Sequence, residues 1–72
     1  MGRFEKALLY LEKAMELEST DPIVNDHLGD VLWMLGRKRE AQFQWKKSLS
    51  FKPEPADQKN TEDKLLHGLK LR

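Results

Sequence analysis

The sequence predicts an all-α fold, with about four helices in a single small domain of 72 residues. In each segment, apolar residues recur at steps of three and four, the spacing of one face of an α-helix. No run alternates between apolar and polar residues, so no β-strand is predicted. Asp21-Pro22, Gly36 and the Pro53/Pro55 pair then divide the chain at residue types that begin or end helices.

The first two predicted helices cover residues 3–18 and 22–35. Asp21 can accept a hydrogen bond from a free N–H of the second helix, and Pro22 fits its first turn because no donor is needed there. Gly36 follows the end of this helix, where glycine is common. The apolar stripes consist of Phe4, Ala7, Leu8, Leu11, Ala14, Met15 and Leu17 in the first helix, and of Val24, Leu28, Val31, Leu32 and Leu35 in the second.

The third and fourth predicted helices cover residues 38–51 and 57–70. Between them, Pro53 and Pro55 remove two backbone donors and break the helical pattern. The fourth helix has a polar first turn and a narrower apolar stripe than the others. The stripes consist of Ala41, Trp45 and Leu49 in the third helix, and of Leu65, Leu66 and Leu69 in the fourth.

Charge and composition narrow the classes of function. The 13 Lys and Arg residues nearly balance the 12 Asp and Glu residues, which gives a net charge of +1. A dedicated nucleic-acid binder usually carries a basic excess, so we expect no nucleic-acid partner. No stretch approaches the ~20 consecutive apolar residues of a membrane helix, so we expect no membrane insertion. The absence of cysteine excludes disulfides and thiolate metal sites.

The chain resembles itself at a shift of 34 residues. Gly2 to Ala7 then align with Gly36 to Ala41, with glycine, arginine and alanine matched at the same places. The same shift pairs large residues with large ones and small residues with small ones. These pairs are Leu11 with Trp45, Ala14 with Ser48, and Leu17 with Phe51.

A period of 34 residues is that of the tetratricopeptide repeat (TPR). The family pattern is a large residue, then Leu-Gly, another large residue, and then Ala, an aromatic residue and Pro. Asn25 stands where Trp is commonest, and we expect it to weaken helix packing. The rest of the pattern is present in order as Leu28, Gly29, Leu32, Ala41, Trp45 and Pro53. The chain therefore resembles the TPR family, and in particular the C-terminal end of a bacterial TPR protein.

The resemblance implies a short α-solenoid of antiparallel helix pairs, with residues 1–72 forming one TPR-like domain. In the last helix, Glu62 and Asp63 occupy the places of Leu28 and Gly29, which is typical of a terminal helix that faces water. The implied parts are residues 2–18 as the second helix of a partial repeat, 22–55 as one full repeat, and 56–72 as a C-terminal capping helix.

Members of this family commonly bind a peptide or helix in a groove, so the resemblance implies a protein–protein interaction module. The two aspartates of the implied groove favour a basic or amphipathic partner. A solvated helix face is the alternative for these aspartates, and burial against the fourth helix is the alternative for Trp33 and Met34. The implied groove residues are Ile23, Asp26, His27, Asp30, Trp33 and Met34.

Two other functions remain open. The chain could be the structural capping end of a longer repeat scaffold, with no separate ligand. Residues 37–55 hold six basic residues, so a basic surface for lipid or RNA is a third and weaker hypothesis.

No catalytic, cofactor or metal site is predicted. Asp26, His27 and Asp30 share one helix face and could hold a divalent ion weakly, but no further ligand lies at a matching spacing. No serine has a base placed beside it, and no glycine-rich loop follows a strand. We therefore expect a protein that is not an enzyme.

The first helix is expected to drive self-association. A chain this short buries only ~60% of its unfolded surface and is marginally stable alone. An apolar face with no partner is rarely left in water. The expected result is a two-fold homodimer, with exchange of helix pairs as a second route. The expected self-association face consists of Phe4, Leu8, Leu11 and Met15.

Overall fold

A computed structural model describes residues 2–69, and these residues form four α-helices and no β-strand. The all-α class is thereby confirmed. The first three helices each end one residue before the predicted boundary. The fourth ends at His67, before Gly68 at a φ of 75°, and residue 70, its predicted end, lies outside the described residues. The helices are α1 (Arg3–Leu17), α2 (Pro22–Met34), α3 (Lys38–Ser50) and α4 (Pro55–His67).

The start of α2 follows the predicted capping chemistry. The carboxylate of Asp21 accepts a hydrogen bond from the backbone N–H of Ile23 at 2.8 Å, and Pro22 occupies the first turn. The turn between α2 and α3 contains Gly36 with a φ of 82°, a left-handed conformation that costs glycine little. Both turn signals therefore act as the sequence predicts.

The start of α4 differs from the prediction by two residues. Pro55, which the sequence analysis assigned to the break, lies in the first turn of the helix, after Glu54 in an extended conformation. Proline suits this position because its fixed φ is helical and its missing N–H would have no partner there. The break itself is therefore confined to residues 51–54, where Lys52 has a φ of 56°.

Successive helices pack against each other, and α2 with α3 forms the tightest pair. These two helices are antiparallel. The hydroxyl of Ser48, near the end of α3, donates to the backbone oxygen of Pro22 at the start of α2. The buried apolar core lies between them and consists of Leu28, Leu32, Ala41 and Trp45.

Gly29 allows α2 and α3 to approach closely. A Cβ atom at this position would lie 2.4 Å from the indole of Trp45 and 3.1 Å from the backbone oxygen of Ala41. The indole is completely buried, so it has no free space into which it can move. Glycine is needed here for the contact between the helices rather than for an unusual backbone angle.

Asn25 has a role that differs from the expected loss of packing. Its side chain is fully buried, and its amide donates hydrogen bonds to the backbone oxygens of Ser19 at 3.2 Å and Asp21 at 2.8 Å. The side chain thus stabilises the turn between α1 and α2. An indole at this position would supply apolar area but could not satisfy both carbonyls.

In the described part of the chain, no helix is both long enough and apolar enough to cross a membrane.

We predict that Gly29→Ala destabilises the protein by about 1–3 kcal/mol, because the added methyl group overpacks the contact with Trp45. In an exposed helix the same change would be stabilising by up to about 1 kcal/mol. Urea unfolding followed by far-ultraviolet circular dichroism measures the difference. Asp63→Ala is the matched control, since it lies 34 residues later on an exposed face, and its effect should stay within about 0.5 kcal/mol. Equal stability of Gly29→Ala and the wild type would contradict the prediction.

Candidate interaction surface between α2 and α4

The two aspartates of α2 are bound by a lysine of α4. The ammonium of Lys64 lies 3.0 Å from Oδ2 of Asp26 and 2.9 Å from Oδ1 of Asp30. The hydroxyl of Thr61, one turn earlier on α4, donates to Oδ1 of Asp26 at 2.8 Å. These contacts connect α4 to α2 across 34 to 38 residues of sequence.

The indole of Trp45 joins the same network from α3. Its Nε1–H lies 3.1 Å from Oδ1 of Asp30 and 3.2 Å from the backbone oxygen of Asp26. Three helices therefore meet in one set of hydrogen bonds. We call this set the polar cluster, and it consists of Asp26, Asp30, Trp45, Thr61 and Lys64.

The electrostatics of the polar cluster follow from partial burial. Burial raises the pKa of Asp30 above its usual 3.8, and Lys64 offsets part of this rise. Burial acts to lower the pKa of Lys64, but the hydrogen bonds that its ammonium donates to Asp30 and Asp26, together with their charges, hold this pKa above 10.5. The charged lysine therefore stabilises the fold, and this contribution is lost as the pH rises above 10.5 through the raised pKa.

The expected acidic centre is not open to a partner. The side chains of Asp26 and Asp30 are 19% and 28% exposed to solvent, and that of Lys64 is 17% exposed. Two carboxylates share one ammonium, so the cluster retains one excess negative charge, mostly shielded by α4. The sequence analysis treated both carboxylates as available, and the structure corrects this because α4 supplies a cation from within the chain.

A depression of about 260 Å³ lies beside the polar cluster, between the start of α2 and the start of α4. It brings together three of the predicted groove residues, Ile23, Asp26 and His27. Ile23 is 50% exposed. The remaining lining residues are Pro22, Ser48, Pro53, Asp57 and Thr61.

The sequence analysis missed the contributions of Asp57 and Thr61. The signal was present, because Asp57, Thr61 and Lys64 are spaced by four and three residues and so share one face of α4. That face is polar, and the prediction for this helix was based on its leucine stripe instead. We call the surface formed by Ile23, His27, Asp57 and the polar cluster the α2–α4 surface.

Trp33 does not line this surface in the way that was expected. Its ring stacks on Trp45 at 5.5 Å between centroids, and the ammonium of Lys38 lies 4.8 Å from the ring centroid. A Cβ atom on Gly68 would lie 2.6 Å from the indole. Trp33 is therefore packed beneath the end of α4, which is the burial alternative.

Met34 lies at the other end of α2 from Ile23. It contributes to a depression beside the N-terminus of α1, together with Arg3 and Phe4. Ile23 and Met34 are separated by about 16 Å along the helix. The depression at Ile23 brings together three of the six predicted groove residues, and Met34 lines a separate depression.

The expected self-association face is corrected in the same way. Leu8, Leu11 and Met15 pack against the core, so α2 already covers most of this stripe. Phe4 alone among the four reaches 36% exposure. The periodicity identified the apolar stripe, but it could not tell that a helix of the same chain covers it. The exposed apolar residues of α1 are instead Leu9, Tyr10 and Leu17, with exposures of 63%, 75% and 86%.

A second, mostly apolar depression lies along the junction of α1 and α2 and measures about 460 Å³. It is shallow and open. α1 contributes Ala7, Tyr10 and Leu11 to its lining. The residues contributed by α2 are His27, Asp30 and Val31.

Charge is divided between the helices. α2 carries two aspartates and no basic residue, and α4 carries three acidic residues and two lysines. α3 carries four basic residues and Glu40, which pairs with Arg37. The α2–α4 surface is therefore acidic overall, although Lys64 neutralises one of the two carboxylates at its centre. Among residues 2–69, no three side chains of the metal-binding types are grouped to hold an ion.

Comparisons with known proteins give no match. No family model matches the chain. No curated protein and no solved structure matches it either. The resemblance to the TPR family thus rests on the residues of this chain, and its functional implications are proposals.

We predict that Lys64→Met destabilises the protein by about 1–3 kcal/mol at neutral pH, because two half-buried carboxylates lose their shared cation. The variant should regain part of this loss as the pH falls toward 3.8, since protonation of Asp30 removes the unpaired charge. It should also lack the part of the alkaline destabilisation that arises from Lys64.

Urea unfolding at several pH values tests this prediction, with Lys59→Met as the control on an exposed position of the same helix. Parallel stability–pH curves for Lys64→Met and the wild type would mean that the ion pairs contribute nothing to folding.

Proposed function

We propose that this chain is a non-catalytic protein–protein interaction module of the TPR type. In this proposal the α2–α4 surface binds a peptide or helix of a partner protein, and the exposed side of α1 mediates self-association. The observation that carries the proposal is the α2–α4 surface itself. It combines a fixed polar cluster with exposed apolar, imidazole and carboxylate groups at Ile23, His27 and Asp57.

The contact between α2 and α3 supports the assignment to this type of repeat. Gly29, Ala41 and Trp45 match the family pattern, and a Cβ atom at Gly29 would overlap the indole of Trp45 and lie 3.1 Å from the backbone oxygen of Ala41. The buried hydroxyl of Ser48 extends this contact by its bond to Pro22. The 34-residue shift pairs α1 with α3 and α2 with α4, as an array of similar helix pairs requires.

The chemistry of the α2–α4 surface favours a basic, amphipathic partner. Ile23 offers apolar area at the edge of the depression. Asp57 is exposed and lies in the first turn of α4, and the polar cluster adds one excess negative charge. A partner helix with apolar and cationic residues on one side would match both features.

The alternative is a capping function within a longer repeat scaffold. Its support is the composition of α4, in which only Thr61 is buried. Glu62, Asp63 and Leu66 are exposed, although the 34-residue shift aligns them with Leu28, Gly29 and Leu32. A helix with this face ends an array more readily than it continues one.

We expect the isotope-labelled protein to bind a synthetic amphipathic helix of Leu and Lys. The NMR chemical shifts of Ile23, His27 and Asp57 should change and reach a plateau as the helix is added. Ile23→Ser should weaken this binding about tenfold, or about 1.4 kcal/mol, because it removes the apolar contact. Asp57→Asn should weaken it by removing a charge. Phe43→Ser is the matched control, since Phe43 is an exposed residue on α3.

A helix with Glu in place of Lys, otherwise identical, tests the charge preference. Equal shifts with both helices, or shifts centred on Phe43, would contradict the proposed surface. If neither helix produces NMR shifts at the α2–α4 surface, the capping function is favoured.

A further inference from the structure

One side of α1 is exposed and has a regular composition. Its residues are spaced by four, three, four and three positions, which places them in one line along the helix. Tyr10 and Leu17 are the most exposed of them, and Ala7 and Ala14 are partly exposed. We call this line, together with Glu18 at the end of the helix, the outer face of α1. It consists of Arg3, Ala7, Tyr10, Ala14, Leu17 and Glu18.

The outer face is complementary to itself in the reverse direction. Ala7 and Ala14 lie at equal distances from a midpoint between Tyr10 and Leu11, and Arg3 and Glu18 lie at equal distances from the same point. A second copy of α1 laid antiparallel would therefore place alanine against alanine. It would also place a guanidinium against a carboxylate at both ends.

We propose that two copies of this chain dimerise by antiparallel contact of their outer faces, across a two-fold axis beside Tyr10 and Leu11. The inference deepens the proposed self-association through α1 and rests on it. A two-fold contact uses the same surface on both copies. That surface must therefore be complementary to itself, as the outer face is.

The small residues allow the two helices to approach closely. Ala7 would face the partner's Ala14 at two symmetry-related places, one on each side of the two-fold axis. Ala7 also lines the depression between α1 and α2, so side chains of the second helix have a place to enter. Tyr10 and Leu17 would lose exposed apolar area on one flank of the contact.

Charge selects the antiparallel direction. Arg3 and Glu18 are about 22 Å apart along the helix, too far to pair within one chain. The ion pairs found among residues 2–69 do not involve either residue. A parallel contact would bring Arg3 near the partner's Arg3 and Glu18 near the partner's Glu18, and like charges oppose association.

The length of the contact between the two α1 helices limits the affinity of the dimer. Two helices of about 22 Å give an interface at the small end of the range for specific complexes. We therefore expect a dimer with a dissociation constant on the order of micromolar, which light scattering and sedimentation can follow across a concentration series.

Charge reversal tests the proposed pairing. Arg3→Glu and Glu18→Arg should each raise the dissociation constant about tenfold, and the double variant should restore it to within about threefold. Both changes favour the helix dipole of α1, so weaker association would not reflect loss of the helix. Lys13→Glu and Glu16→Arg are the matched controls, because they reverse charges elsewhere on α1 and should leave the dissociation constant unchanged.

Cysteine cross-linking tests the register, since the natural chain has no cysteine. Under mild oxidation, a mixture of Ala7→Cys and Ala14→Cys chains should form covalent dimers, because the two positions face each other at the short range that disulfides need. Each variant alone should remain uncross-linked at matched concentration, since its two cysteines would lie about 10 Å apart along the helices.

Three results would overturn the inference. A monomer at every concentration would remove the whole proposed self-association. A dimer that is insensitive to both charge reversals would keep self-association but place it on another face. Growth beyond the dimer with concentration would indicate a head-to-tail contact. Binding of the Leu/Lys helix to the α2–α4 surface is measured separately, so failure of the dimer does not count against the proposed binding of a partner.

Discussion

The burial of Trp45 against Gly29 is the contact on which the remaining structure depends. The indole fills the space that a side chain at Gly29 would occupy, and it thereby fixes the distance between α2 and α3. Its ring stacks on Trp33, and its N–H is directed to Asp30 and to the backbone of Asp26. One side chain therefore belongs to the apolar core and also bonds to the Asp30 carboxylate, which contacts α4 through Lys64.

α4 is attached by a different type of interaction. Thr61 is its one fully buried residue, and Leu65 of α4 and Leu69 after it pack against the core while partly exposed. The bonds from Thr61 and Lys64 to Asp26 and Asp30 thus carry much of the specificity of its position. Half-buried ion pairs contribute more to a unique arrangement than to net stability, because desolvation offsets their attraction. A partner that binds the α2–α4 surface would meet a surface whose charges are already arranged.

α1 presents the opposite case. No residue of α1 is fully buried, and its contact with α2 uses a stripe of half-buried apolar side chains. The helix therefore has one covered side and one exposed side, both partly apolar. On the exposed side the apolar residues are accompanied by a symmetrical arrangement of small and charged residues, which supports contact between copies of the chain rather than with its own helices.

The amino-acid sequence is sufficient to predict four helices, because helix periodicity and the capping residues at Asp21, Pro22 and Gly36 act over a few neighbouring residues. Its match to the family pattern also identified Leu28, Gly29, Ala41 and Trp45, which lie at the contact between α2 and α3. It could not decide which of several basic residues neutralises Asp26 and Asp30, because Lys64 is 34 or more residues away and only packing selects it. Likewise, the apolar stripe of α1 was visible in the sequence, but whether α2 or another molecule covers it depends on the arrangement of the helices. Tertiary structure decides such questions because they concern competition among distant residues for the same contact.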